Sequence, residues 1–166
     1  MSALLFSDDA YLRSCDAQVV AVQDGALDRE ARHRHMRLHT ALHLLCAVVK
    51  APVSGGPIGE DKAYLDFDIE MDRLDKVSIK ADLNTLVRAA TPTRTRWVSD
   101  AELDTSPDLV RTMSVAPPRG EGRVRLLDIP GVDLQACGGT HVANTAEIGP
   151  LRVARIRSEG KSTTNG

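Results

Sequence analysis

Two short segments far apart in the chain carry metal-ligand chemistry. His39-Thr40-Ala41-Leu42-His43 places two imidazoles at i and i+4. On a helix those positions share one face, about 6 Å apart at Cβ. Cys137-Gly138-Gly139-Thr140-His141 places a thiol and an imidazole four residues apart, and its two glycines let the backbone fold tightly. Alone, the histidine pair reads as two ordinary hydrogen-bonded histidines and Cys137 as a small buried hydrophobe. As a quartet, His39, His43, Cys137 and His141 form a borderline-soft nitrogen and sulfur set. That set suits Zn2+ at ~2.0–2.1 Å to nitrogen and ~2.3 Å to sulfur.

The pattern excludes two kinds of zinc enzyme. A zincin has Glu after its first histidine, where Thr40 stands here. The deaminase signature, His-x-Glu with a later Pro-Cys-x-x-Cys, is also absent. Four protein ligands close the sphere around a structural zinc, whereas a catalytic site requires one position open to water. The spacing leaves both arrangements open.

The surrounding elements must bring these segments together. Met36, Leu38, Leu42, Leu45, Cys46 and Val49 recur at helical spacing across 29–50, with Lys50 in the last turn and Pro52 as the stop. Residues 17–23 are β-prone and close on Asp24-Gly25; 54–57 read as a loop and 63–69 as a half-buried strand. A second helix is expected over 71–90 on Met71, Leu74, Val77, Leu83, Leu86 and Val87, with Ile79 out of phase. Strands are expected at 93–99, 123–129 and 151–157. Ser99 with Glu102 signals a helix N-terminus, and 107–113 reads as a further helical piece. Helices and strands mix without strict alternation. The class is therefore α+β, a mixed or antiparallel sheet against long helices, with a remnant N-terminal β element at 1–28 and the main domain at 29–166.

Composition bounds the function. With 166 residues, 42% of them hydrophobic and 27% charged, the chain can build one core without staples. No stretch approaches the ~20 apolar residues of a membrane span. The N-terminus lacks a basic secretory n-region. Three widely spaced cysteines (Cys15, Cys46, Cys137) do not form a disulfide framework, so a cytoplasmic location is expected. Cys46 reads as core and Cys15 as a passive thiol. A net charge of -2 rules out a globally basic nucleic-acid binder. One Trp, two Tyr and two Phe are too few for an extended stacking platform, and Trp97 reads as a core or rim aromatic. Asp66 and Asp68 read as solvated acids on one strand face.

The quartet, followed by Glu147-Ile148-Gly149-Pro150 and Arg157-Ser158-Glu159-Gly160-Lys161, resembles the alanyl-tRNA editing proteins of the AlaX type. These are free-standing relatives of the alanyl-tRNA synthetase editing domain, with a cousin in threonyl-tRNA synthetase. The resemblance covers about residues 29–166. It implies a synthetase-editing fold and a Zn2+-containing hydrolase that removes mainly serine, and secondarily glycine, from mischarged alanine tRNA. By position the quartet corresponds to the zinc ligands. Thr40 corresponds to a threonine beside the pocket that bonds the serine hydroxyl, with Gly138 and Gly139 as substrate-binding neighbours. A site that bonds that hydroxyl rejects alanine by leaving its own polar group unpaired. Alternatively the Thr40 hydroxyl bonds back to a preceding carbonyl of its helix. No catalytic residue is assigned beyond a zinc-associated water.

A tRNA face is expected along Arg152, Arg155, Arg157 and Lys161, and along Arg29, Arg32, Arg34 and Arg37 with His33 and His35. The helical run also reads as a merely solvated face. Glu159 and Ser162 are expected to cap or brace the last turn and are assigned no chemistry. Relatives with an N-terminal element carry a glycine-rich loop before the editing core. Here Asp24-Gly25-Ala26 leads almost directly to Arg29-Glu30-Ala31-Arg32. Either the loop is absent or the sequence omits a segment, and the end at Asn165-Gly166 just after a turn favours omission. Competing functions are a zinc-stabilised tRNA-binding module without hydrolysis and a small-molecule zinc hydrolase. Oligomeric state is not legible.

Overall fold

A computed structural model describes residues 22–23, 26–27, 29–110 and 122–158. Strands β1 (Val22–Gln23) and β2 (Ala26–Leu27) pair as an antiparallel hairpin. The expected strand residues 17–21 lie outside the described part. Helix α1 (Arg29–Val49) follows. It ends one residue early: Lys50 turns into the left-handed region (φ 53°) and does not sit in the last turn. The expected loop contains β3 (Val53–Gly55), which pairs antiparallel with β4 (Asp66–Phe67). The strand foreseen over 63–69 is thus reduced to β4 and an isolated bridge at Ala63.

The second helix is shorter than its pattern suggested. A 3-10 turn, Met71–Arg73, comes first. Asp75 then caps α2 (Lys76–Arg88) by accepting from the backbone N–H groups of Val77 and Ser78. This start sets the phase. Ile79, Leu83 and Val87 face inward at i, i+4, i+8, and Val77 is 75% exposed. Ile79, read as off-phase, is core, and Val77 is not.

Strands β5 (Arg94–Ser99), β6 (Arg123–Ile129) and β7 (Asp133–Ala136) form an antiparallel sheet in that order. All described strand pairs are antiparallel, so the mixed option drops out. Ser99 and Glu102 form the expected capping box on α3 (Asp100–Asp104). The piece expected over 107–113 is a 3-10 turn at Pro107–Leu109, and 111–113 lie outside the described residues. Gly131 (φ 73°) supplies the left-handed step between β6 and β7. β6, the central strand, is buried on both faces (Val124, Leu126 and Leu127 are all buried). One of its faces meets the helices: Ala41, Leu44, Ile79, Leu83, Val87, Leu127, Ile129, Val142 and Ile148 form the core cluster. Leu44 and Ile129 are fully buried, and each such side chain contributes roughly 1.5–3 kcal/mol.

The strand expected at 151–157 is absent. Leu151, Val153 and Ile156 do pack on the core. The backbone, however, bonds to side chains: Asn84 bonds both N–H and C=O of Leu151 at 2.9 Å, and Lys76 Nζ donates to the Ala154 carbonyl at 2.9 Å.

Candidate metal centre

Helix α1 crosses the sheet face where β7 ends, which brings the two expected ligand segments together. One donor atom from each of His39, His43, Cys137 and His141 lies within 4.8 Å of all the others. Cys137 Sγ is 3.5 Å from His39 Nε2 and 3.3 Å from His141 Nε2. A tetrahedron with zinc-like bond lengths has edges of about 3.4–3.6 Å between such atoms. The donor set therefore fits a metal ion of that size.

The remaining ring nitrogens are held from behind. His43 is buried, and its Nδ1 lies 3.0 Å from Asp133 Oδ2. Nε2 is thereby left as the atom for the centre. Gln135 Nε2 donates to the same carboxylate oxygen at 2.6 Å. Asp133 and Gln135 alternate inward along β7 and were missed in the sequence. Their signal is the spacing Asp-x-Gln-x-Cys, which a strand places on one face. His141 Nδ1 faces Thr40 Oγ1 at 3.3 Å. The Thr40 hydroxyl donates to the Met36 carbonyl at 2.9 Å, so its lone pairs serve His141 and the Val142 N–H (3.2 Å). Thr40 is fully buried, and the back-bond to the preceding turn is the one observed.

Electrostatics follow from this packing. Burial pushes the Cys137 thiol up, but the imidazoles of His39, His141 and His43 outweigh it and hold the thiol well below its ordinary value. The thiolate is the metal-binding form. Burial and the neighbouring His39 press His141 down to about 3, which keeps its imidazole neutral. Burial lowers His43, and the Cys137 sulfur and Asp133 carboxylate more than restore it.

The loop is anchored to the sheet. Buried Arg125 donates through Nε to the Cys137 carbonyl (3.2 Å) and through Nη2 to the Gly139 carbonyl, and the Gly139 N–H points at Cys137 Sγ (3.4 Å). Gly139 is buried and Gly138 half-buried. Arg125 also escaped sequence reading, because a lone arginine in a strand carries no motif.

The expected basic faces divide. Arg152, Arg155 and Arg157 are exposed, and Lys161 lies outside the described residues. On α1, Arg34 pairs with Glu30 and Glu60, Arg37 donates to the Ile148 carbonyl, His33 meets Glu147, and Arg32 is buried. Much of that run is engaged by contacts within the protein, most of them at its surface. Cys46 is core, as read.

Residues 124–164 match the family described as the threonyl and alanyl tRNA synthetase second additional domain. That segment carries Cys137 and His141, half of the donor set, within an α+β domain. The chain is 33% identical over 143 residues to the alanyl-tRNA editing protein AlaX-M of Methanosarcina barkeri, covering 83% of this chain and 59% of that one. The AlaX-M protein of Saccharolobus solfataricus is 32% identical over 142 residues, with coverage of 82% and 59%. An alanine–tRNA ligase of Synechococcus sp. is 34% identical over 144 residues, 80% of this chain and 15% of the ligase. Over most of its own length the chain is thus similar to alanyl-tRNA editing proteins of the AlaX-M type. It spans about three fifths of the length of the AlaX-M relatives.

Proposed function

We propose that this protein is a trans-acting aminoacyl-tRNA deacylase that hydrolyses the ester joining serine, or glycine, to alanine tRNA in the cytoplasm. One observation carries the reading: a three-histidine, one-cysteine donor set gathered within 4.8 Å, in a chain aligned with proteins named for alanyl-tRNA editing. The donor chemistry selects Zn2+ among divalent ions. Zinc held by His39, His43, Cys137 and His141 supplies Lewis acidity and a fixed pocket wall.

The chain's own residues orient and recognise. Asp133 and Thr40 fix the His43 and His141 rings from behind. Gly138 and Gly139, bare of side chains, leave room for the esterified ribose. Exposed Arg152, Arg155 and Arg157, with Lys161, meet the tRNA phosphates. In this reading residues 29–166 are the editing domain and 1–28 an N-terminal β appendage. Thr40 serves the serine hydroxyl only indirectly, through His141, because its own hydrogen bonds are filled.

Purified zinc-loaded protein is tested on alanine tRNA charged with serine, glycine or alanine. Faster release of serine or glycine than of alanine is expected. Equal stability of all three esters in its presence refutes the proposal.

A further inference from the structure

The sheet face that carries the ligand loop continues outward to an exposed aromatic. Trp97 is the only tryptophan in the chain and is 41% exposed. The Arg123 guanidinium carbon lies 4.4 Å from the indole centroid, in cation–π contact. Register explains the contact. Trp97 opposes Arg125 and Ser99 opposes Arg123, so Trp97 and Arg123 are diagonal neighbours on one face. On the other side of β6, Cys137 donates its N–H to the Arg125 carbonyl at 3.1 Å. Trp97, Arg125 and Cys137 thus form a row across three neighbouring strands. Two strand spacings put the tryptophan backbone about 10 Å from that of the metal ligand.

Such a pair offers an apolar π-face and a guanidinium in one place. Unpaired nucleotides are recognised by stacking on aromatic side chains and arginine planes, with arginine also pairing phosphates. Among the described residues β5 is the edge of this sheet, and Arg94 and Arg96 are exposed on its opposite face, where Arg96 is 3.6 Å from Asp128. Proteins too bind Trp and Arg surfaces, but an exposed arginine stacked on an exposed tryptophan, two strands from the candidate metal centre, suits a base and its phosphate together.

We propose that Trp97 and Arg123 form a subsite for the unpaired 3′ end of the tRNA. The indole stacks the terminal base, and Arg123 pairs the adjoining phosphate. The esterified ribose then lies between this subsite and the donor atoms. The inference rests on the reading of tRNA as substrate.

A single tryptophan makes the test direct, since all indole fluorescence comes from position 97. Uncharged alanine tRNA is titrated into zinc-loaded protein, alongside the same tRNA trimmed of its unpaired 3′ nucleotides. Saturable quenching by the intact tRNA, lost on trimming, is expected. No quenching, or equal quenching by both, overturns the subsite. In deacylation of seryl-charged tRNA, Trp97→Ala raises KM about 5- to 150-fold with little change in kcat, and Trp97→Phe restores most of it. An unchanged KM in Trp97→Ala also overturns it. Absence of hydrolysis by the wild-type protein counts against the function proposed above, while the quenching result still decides the subsite.

Discussion

Asp133 holds His43 through a buried 3.0 Å contact between Oδ2 and Nδ1. A carboxylate behind a metal-ligating imidazole fixes the ring and raises its basicity. Asp133→Ala should therefore weaken zinc binding by about 10- to 100-fold while leaving all four ligands in the chain. Competition with a chelator measures this. An unchanged affinity shows that the carboxylate only packs.

Removal of a ligand itself is more severe. His43→Ala and Cys137→Ala should lose bound zinc and deacylation together. Elemental analysis beside a seryl-tRNA assay decides it, and full hydrolysis by metal-free protein refutes a metal requirement.

Thr40→Val keeps the shape of a fully buried side chain and deletes the acceptor for His141 and Val142. Each abandoned donor costs about 1–3 kcal/mol. We expect a lower denaturation midpoint and weaker zinc binding. If Thr40 instead read the substrate hydroxyl directly, the serine-over-alanine ratio would collapse with stability intact.

The phase of α2 gives a paired test. Ile79→Ala should destabilise by roughly 2–5 kcal/mol, because it opens a cavity in the core. Val77→Ala should change stability by no more than about 0.5 kcal/mol, since that side chain faces solvent. Urea denaturation of the two variants separates the observed phase from the one its apolar pattern suggests.

Asp75 predicts a pH effect. Hydrogen bonds from the Ser78 hydroxyl and N–H hold its exposed carboxyl below 3.8. Its folded pKa lies under its unfolded one. The cap thus stabilises fully above the unfolded value and is lost as pH falls through the folded value. Asp75→Ala should be less stable than wild type at pH 7, and the gap should close in acid. A gap that persists at pH 2 would mean that the ionised cap is not its source.

What the sequence disclosed depended on how local the cause was. The two candidate donor pairs, α1 and the Ser99–Glu102 capping box follow from spacing and side-chain chemistry within a few residues. The 151–157 segment has the alternation of a strand, yet Asn84 and Lys76 take its backbone groups, and both come from a helix over sixty residues away. β7 escaped for the opposite reason. Its inward residues are Asp133 and Gln135, polar where a strand pattern calls for apolar, because Asp133 bonds buried His43 and Gln135 bonds Asp133. Arg125 was invisible because its partners are carbonyls of a loop whose position only the fold fixes.

That arginine bears on how the candidate centre would take up an ion. Because Arg125 ties the Cys137 and Gly139 carbonyls to β6, the loop owes its course to the sheet rather than to coordination. Stripping and reloading should proceed as quick, reversible exchange at a preformed seat, without the unravelling that follows when small zinc-dependent folds are demetallated.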